Sequence, residues 1–272
     1  MNKEYFYYIN GKWQSNLKAN IPFNDVGFLY GEGLFETLRF DNKKIFSPLK
    51  HINRLMKSLM IINLKIKQSN EEILNILKLV INKNKLNSGI LRLMITRGIP
   101  EKFTPCIYIS IKPLYKIPKN PVKVIYLKES NFPIIRFTPA IKSMNYLGNI
   151  LAKKETNKKN AFEPIFYNDN NIITECAIRN IFYIKDQTLL TPSLDLGILS
   201  GVMRHTIINI AKDIGIPTKE LHINYEQKNS MEEAFLTSTG IGLLECYWHD
   251  WNSNYLITKQ IKKELFKRIN NN

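Results

Sequence analysis

The sequence predicts an α+β protein in two domains, and three observations carry that prediction. The chain has 272 residues, 44% of them hydrophobic, enough to bury a substantial core and a comfortable length for two modest domains. Both halves mix short runs rich in β-branched and aromatic residues with longer runs whose apolar positions recur at helical spacing. Between the halves, Lys112-Pro113 through Lys119-Asn120-Pro121 holds three prolines in ten residues, a stiff, solvated connection. The boundary is placed there, giving domains 1–117 and 118–272.

Taken in order, Tyr5 to Ile9 and Lys12 to Gln14 flank Asn10-Gly11, which supplies the two left-handed residues of a hairpin turn. A glycine-punctuated loop from Phe23 to Gly33 leads into a strand, Leu34 to Phe40. Period-two alternation puts Phe35, Thr37 and Arg39 on one face, a composition unlike pure core. Ser47-Pro48 predicts a helix start, with serine as cap and proline at the first position. Within that helix His51, Arg54 and Leu55 share a face, so Arg54 can point inward. A second helix, from about Asn70 to Lys85, has Ser69 and Glu72 in capping-box relation. Two strands follow, Ile90 to Gly98 and Cys106 to Lys112; Arg92 projects to the opposite face from Leu91 and Leu93.

The second half opens with a strand, Val122 to Lys128. Lys142 then follows the apolar approach Phe137 to Ile141 and precedes a helical run, Asn145 to Lys158. Apolar neighbours depress a lysine pKa, and a less protonated amine condenses with an aldehyde. In a chain with 31 lysines the bland reading, an exposed side chain, stays open on composition alone. Glu175 lies in Ile172 to Ala177, a strand end near the interior, where a carboxylate needs a cationic or hydrogen-bonding partner. Ser200-Gly201 opens a helix running to Ala211 and ending before Gly215; serine reads as the cap, and the helix N-terminus suits an anion. A last helix spans Thr258 to Ile269, with Ile261, Leu265 and Ile269 inward.

The formal net charge of +16 raises nucleic acid or a membrane surface as partners. The lysines are spread along the chain without a basic block or interleaved aromatics, so the excess reads as a solvated surface and neither partner is expected. Cys106, Cys176 and Cys246 are odd in number and far apart, and the four histidines are scattered, so neither a disulfide framework nor a metal site is expected. The start Met-Asn-Lys-Glu lacks an apolar signal core, and no apolar run reaches the roughly 18 residues of a span. A cytoplasmic protein is expected.

The stretch KSMNYLGNILAKKE, followed by ITECAIRNIFYIKDQTLLTPSL and GILSGVMR, resembles the fold-type IV pyridoxal-phosphate enzymes, the class IV aminotransferase family, from about Tyr8 to about Cys246. The resemblance implies a small N-terminal α/β domain and a larger, β-barrel-like C-terminal α/β domain that carries the Schiff-base lysine. It implies pyridoxal 5'-phosphate as cofactor, a small-molecule substrate and a homodimer. Residue by residue, Lys142 is implied to hold the coenzyme and move the substrate proton, and Glu175 to face the ring nitrogen with Asn180 in support. Arg54, in the HxxRL pattern, with Gly201, Val202 and Thr239, is implied to hold the phosphate. Arg92, with Phe35 and Arg39, falls to the substrate.

Within the family, the length, the TECAIRNIF and TPSLDLGILSGVMR segments, and Thr37 where a glycine is usual in branched-chain enzymes point to aminodeoxychorismate lyase. That enzyme eliminates pyruvate to give 4-aminobenzoate in folate biosynthesis, and Thr37 would relay a proton to the departing group. A branched-chain or D-amino-acid aminotransferase is the alternative. Gly98 to Phe103 matches neither kind of pocket loop, Gly240 to Cys246 lacks the usual terminal proline, and Arg97 and Arg179 receive no role.

Overall fold

A computed structural model describes residues 3–102 and 104–271, which fall into two compact units. One holds residues 1–116 with 141–145, the other 117–140 with 146–272. The first boundary lies within a residue of the proline-rich connection. The short segment bearing Lys142, expected in the C-terminal domain, groups instead with the first unit. Its backbone supplies the reason: Phe35 N–H donates to Lys142 O (3.0 Å) and Met144 N–H to Gly33 O (2.9 Å).

The first unit is an antiparallel sheet backed by two helices. In chain order it comprises β1 (Phe6–Ile9), β2 (Lys12–Ser15), α1 (Val26–Tyr30), β3 (Gly33–Asp41), β4 (Lys44–Ile45), α2 (Pro48–Ile61), α3 (Asn70–Asn84), β5 (Gly89–Ile99) and β6 (Thr104–Pro113). The strand order is β2-β1-β6-β5-β3-β4. The β1–β2 turn has Asn10 and Gly11 at φ 47° and 87°, the left-handed pair that the Asn-Gly signal predicts. Leu34, Leu38 and Phe40 of β3 and Leu91, Leu93 and Ile95 of β5 pack with Ile52, Leu55 and Leu59 of α2 and Ile73, Leu77 and Ile81 of α3 in one core. The other face of the sheet carries Phe35, Thr37, Arg92, Met94 and Tyr108, and Arg92 is exposed as its alternation with Leu91 and Leu93 requires.

The second unit continues with β7 (Val122–Lys128), α4 (Leu147–Lys158), β8 (Glu163–Tyr167), β9 (Ile172–Cys176), β10 (Asn180–Lys185), β11 (Thr188–Pro192), α5 (Val202–Asp213), β12 (Thr218–Leu221), β13 (Ile223–Asn224), β14 (Glu233–Ser238), β15 (Gly242–Tyr247) and α6 (Leu256–Asn271). Its nine strands run β12-β11-β10-β14-β15-β7-β8-β9-β13, parallel at β11/β12, β15/β7 and β7/β8. One face encloses a core that includes Ile165, Ile181, Tyr183, Leu236 and Leu244. Glu233 caps α6, its two oxygens accepting from Ile257 N–H (2.8 Å) and Thr258 N–H (2.7 Å). Ile261 and Leu265 of that helix are buried as expected, whereas Ile269 is half-exposed.

The helix starts separate two kinds of serine. Ser69 forms the capping box with Glu72, each side chain bonding the other's backbone N–H. Pro48 takes the first position of α2 as expected, but the Ser47 side chain makes no cap bond; at φ 45° it sits in the left-handed region. Ser69→Ala should therefore cost about 1 kcal/mol in urea unfolding. Ser47→Gly should instead be neutral or stabilising by up to about 1 kcal/mol, because glycine relieves the left-handed strain.

Candidate active site

In the first unit the candidate residues gather on β3 and its neighbours. The Lys142 ammonium lies 4.5 Å from the centroid of the Phe35 ring, and the Arg92 guanidinium carbon lies 3.9 Å from the same centroid. Phe35 is buried (2% exposed) and its ring is the shared platform for both cations. Thr37, one pleat further on that face, is the register partner of Arg92. Arg39 follows after another pleat and donates to Asp41 (2.7 Å), so it arrives already paired.

Beside this platform a cavity of about 540 Å³ runs over the same sheet face, lined by Met94, Tyr108, Phe28, Ile9 and Met144 among others. Met94 is the register partner of Phe35, and Met144 is two residues from Lys142. At its wall Asp25, fully buried, accepts from Gly27 N–H (2.7 Å), the Thr96 hydroxyl (2.8 Å) and the Tyr108 hydroxyl (2.5 Å). Burial, and then the bond to Asp25, push the Tyr108 phenol far up, so it stays a donor. Sequence reasoning missed Asp25, because only the β5–β6 pairing brings Thr96 and Tyr108 to it.

The other face of β3 carries Glu36, 1% exposed. Arg54 of α2 grips it with two bonds, Nε to Oε1 (2.7 Å) and Nη2 to Oε2 (2.6 Å), and His51 Nδ1 lies 2.7 Å from Oε2. Arg54 does point inward, as the shared face of His51, Arg54 and Leu55 predicts. Burial alone would raise the Glu36 pKa, but the Arg54 charge and the bonds from His51 and Arg54 outweigh it and hold the carboxyl at about 2. Burial pushes His51 below its ordinary value of 6.5 against the pull of Glu36, so a neutral ring donates from Nδ1.

In the second unit Glu175 ends β9 with its side chain 14% exposed. One oxygen pairs with Arg136, and the other accepts from Leu199 N–H (3.2 Å) and Asn180 Nδ2 (3.4 Å). Arg136 also pairs with Glu129, whose carboxylate takes the Thr174 hydroxyl as well. Arg136 and Glu129 escaped the sequence reading; the visible signal was one arginine inside the apolar stretch Pro133 to Pro139. Asn180 Nδ2 donates in addition to Leu199 O (2.9 Å), tying the turn before α5 to Glu175.

That turn departs from the expectation in one respect. The cap residue of α5 is Gly201 and not Ser200, so the cap position itself has no side chain. A Cβ at Gly201 would sit 2.1 Å from Asn180 Oδ1, so glycine is needed there for close packing against Asn180. Val202 is the first helical residue, and Thr239, 9% exposed, follows β14. The two residues left without a role have structural partners: Arg97 pairs with Glu32 and donates to Ile62 O (2.9 Å), and Arg179 pairs with fully buried Glu163. Phe103 of the divergent loop lies outside the described residues. Among the described residues no group of three or more His, Cys, Asp or Glu could hold a metal, and no helix is long and apolar enough to cross a membrane.

Comparison with known proteins gives this arrangement its class. The family model described as amino-transferase class IV matches residues 33–246, and the chain belongs to that family of pyridoxal-phosphate enzymes. The D-alanine aminotransferase of Listeria monocytogenes (strain 10403S) is 34% identical over 235 residues, 82% of this chain and 80% of that one. The fold matches the branched-chain aminotransferase of Thermoproteus uzoniensis with a TM-score of 0.89 at 24% identity, over 98% of this chain and 95% of the other. It also matches the Putative 4-amino-4-deoxychorismate lyase from Legionella pneumophila, with a TM-score of 0.85 at 24% identity over 93% and 96%. The residues present fit the family's coenzyme: α5 opens on a glycine with no acidic residue in its first turn, which suits a phosphate, and Glu175 presents an acceptor held by Arg136.

The Glu36 cluster predicts acid sensitivity. Glu36 titrates near 4.5 when unfolded and about 2 when folded, so its contribution of about 3 kcal/mol is complete above pH 4.5 and lost as pH falls through 4.5 toward 2. His51, depressed in the fold, is protonated first in the unfolded chain, so it removes stability as pH falls below 6.5. Urea midpoints measured from pH 7 to 3 should fall steeply for the native chain, and the loss below pH 4.5 should be much smaller in Glu36→Gln, which begins less stable.

Proposed function

We propose that this protein is an amino-acid aminotransferase whose substrate docks by its carboxylate on Arg92 and exchanges its α-proton with Lys142. The observation that carries the reading is the Phe35 platform, which brings an amine and a guanidinium over one ring. An α-amino acid has its carboxylate next to the reacting carbon, so a carboxylate gripped by Arg92 presents that carbon toward the amine. The adjoining cavity, walled largely by Met94, Phe28, Ile9 and Met144, suits an apolar side chain. The 34% identity to a D-alanine aminotransferase supports the same reaction class.

Pyridoxal phosphate, when bound, supplies an electron sink for the bond broken at the α-carbon. The chain's own residues do the rest. Lys142 provides the amine that holds the coenzyme aldehyde and then moves the proton. Glu175, paired with Arg136 and bonded by Asn180, would face the ring nitrogen and favour its protonated form. Gly201, Val202 and Thr239 would hold the phosphate, with Arg54 reaching it from its place beside Glu36.

The second reading, aminodeoxychorismate lyase, is favoured by Thr37, which stands on the Phe35 face in register with Arg92 and there supplies a hydroxyl for proton relay. One assay separates the two. A transaminase forms product only when a 2-oxo acid is added with the amino acid, whereas a lyase releases 4-aminobenzoate and pyruvate from 4-amino-4-deoxychorismate alone. We expect strict dependence on the 2-oxo acid; pyruvate formed in its absence would establish the lyase, and loss of that activity in Thr37→Val would assign the relay. In either case Lys142→Ala should lack the visible absorbance of the coenzyme linkage, resist borohydride trapping and lose at least about 100-fold in kcat. Normal trapping in that variant would move the linkage to another amine.

A further inference from the structure

Arg204 is the third residue of α5, fully buried, and the largest of the fully buried side chains. Its position is electrostatically unfavourable. The positive end of a helix dipole lies at the first turn, where a cation is disfavoured, and this turn has no acidic residue to offset it. A buried cation also needs full pairing, and Arg204 has only half of it. Nη2 donates to Pro192 O (2.9 Å) and to Glu220 Oε2 (2.6 Å), whereas Nε and Nη1 have no hydrogen-bond partner among the described residues. The counter-ion is poorly matched too, because the Glu220 side chain is 42% exposed and screened by water while the guanidinium is not. The Arg204 Cβ lies 3.3 Å from where a Cβ on Gly201 would be, which places the residue in the turn that Gly201 opens.

An excess of buried positive charge in the first turn of a helix becomes favourable when a dianion sits on that helix end. We propose that Arg204 is a positioning residue for a phosphate dianion at the N-terminus of α5, acting through its field rather than by contact, and that Glu220 sets how much of its charge is left over. The inference rests on the reading of Gly201 and Val202 as phosphate-holding residues.

The test measures equilibrium dissociation constants for pyridoxal 5'-phosphate and for pyridoxal, which lacks the phosphate, by coenzyme absorbance. It uses the full chain and the variants Arg204→Met, Arg204→Lys and Glu220→Gln. Glu220→Gln keeps a hydrogen-bond acceptor and removes the counter-charge, so it should tighten pyridoxal 5'-phosphate about threefold or more and leave pyridoxal within about twofold. Arg204→Met should weaken pyridoxal 5'-phosphate about tenfold with little change for pyridoxal, and Arg204→Lys should recover most of the difference. Equal weakening of both ligands by Arg204→Met, or any weakening of pyridoxal 5'-phosphate by Glu220→Gln, would overturn the inference and leave Arg204 a packing residue. If Arg204→Met fails to fold, the sign of the Glu220→Gln effect decides alone. A native chain that binds pyridoxal as tightly as pyridoxal 5'-phosphate would instead overturn the phosphate-site reading on which the inference stands.

Discussion

An ionised carboxylate in the middle of a strand, shut away from water, is tolerable only when a cation and hydrogen-bond donors close around it, and Glu36 imposes that condition on the first unit. Arg54 and His51 satisfy it from α2, which fixes the helix over β3 at one register. With Glu36 turned toward the helix beside Leu34, Leu38 and Phe40, the pleat leaves Phe35 and Thr37 on the opposite face. The Lys142 backbone then pairs with Phe35 at the start of the same strand. A slip of one residue would bury Thr37 and Arg39 in place of Glu36 and expose the whole apolar set.

The second unit solves similar problems with shared cations. Arg136 lies between Glu175 and Glu129, and Glu163, with no exposed surface, is held by Arg179, Lys153 and Ile178 N–H. These ion pairs fix β8, β9 with its Glu175, and the turn that leads on to Asn180 at the start of β10. Such networks give little net stability for their desolvation, but removing one member leaves a buried charge exposed to no solvent. Arg204 stands apart because its pairing is incomplete within the first turn of a helix, where the dipole already disfavours a cation.

Substrate chemistry is written on a small part of the chain. The cofactor class follows from family membership, which the matching family model and the 34% identical relative establish over most of the length. The proposed reaction draws on a few side chains of the Phe35 face. In that proposal Arg92 suits any substrate with a carboxylate, the cavity beside Met94 suits apolar groups, and Thr37 alone argues for elimination. Structures of this fold at 24% identity bear the names of both a branched-chain aminotransferase and a Putative 4-amino-4-deoxychorismate lyase, so the architecture itself does not select between them.

The sequence by itself determined what depends on neighbours within a few positions. The Asn10-Gly11 turn, the Ser69 capping box and the alternation of β3 and β5 were legible from local spacing, and the segments around Lys142, Glu175 and Ser200-Gly201 carried the resemblance to the family that residues 33–246 match. Tertiary structure alone decided the partners of charged groups and the fine geometry of the turns. Arg136 meets Glu175 across 39 positions and Arg54 meets Glu36 across 18, and no periodicity encodes which carboxylate a given arginine will find. Ser47 looked like a cap yet took a left-handed conformation, Gly201 displaced Ser200 as the cap of α5, and the Lys142 segment joined the first unit's sheet. Local pattern fixes backbone state and which face is apolar, whereas pairing of buried charge is settled only when distant strands and helices meet.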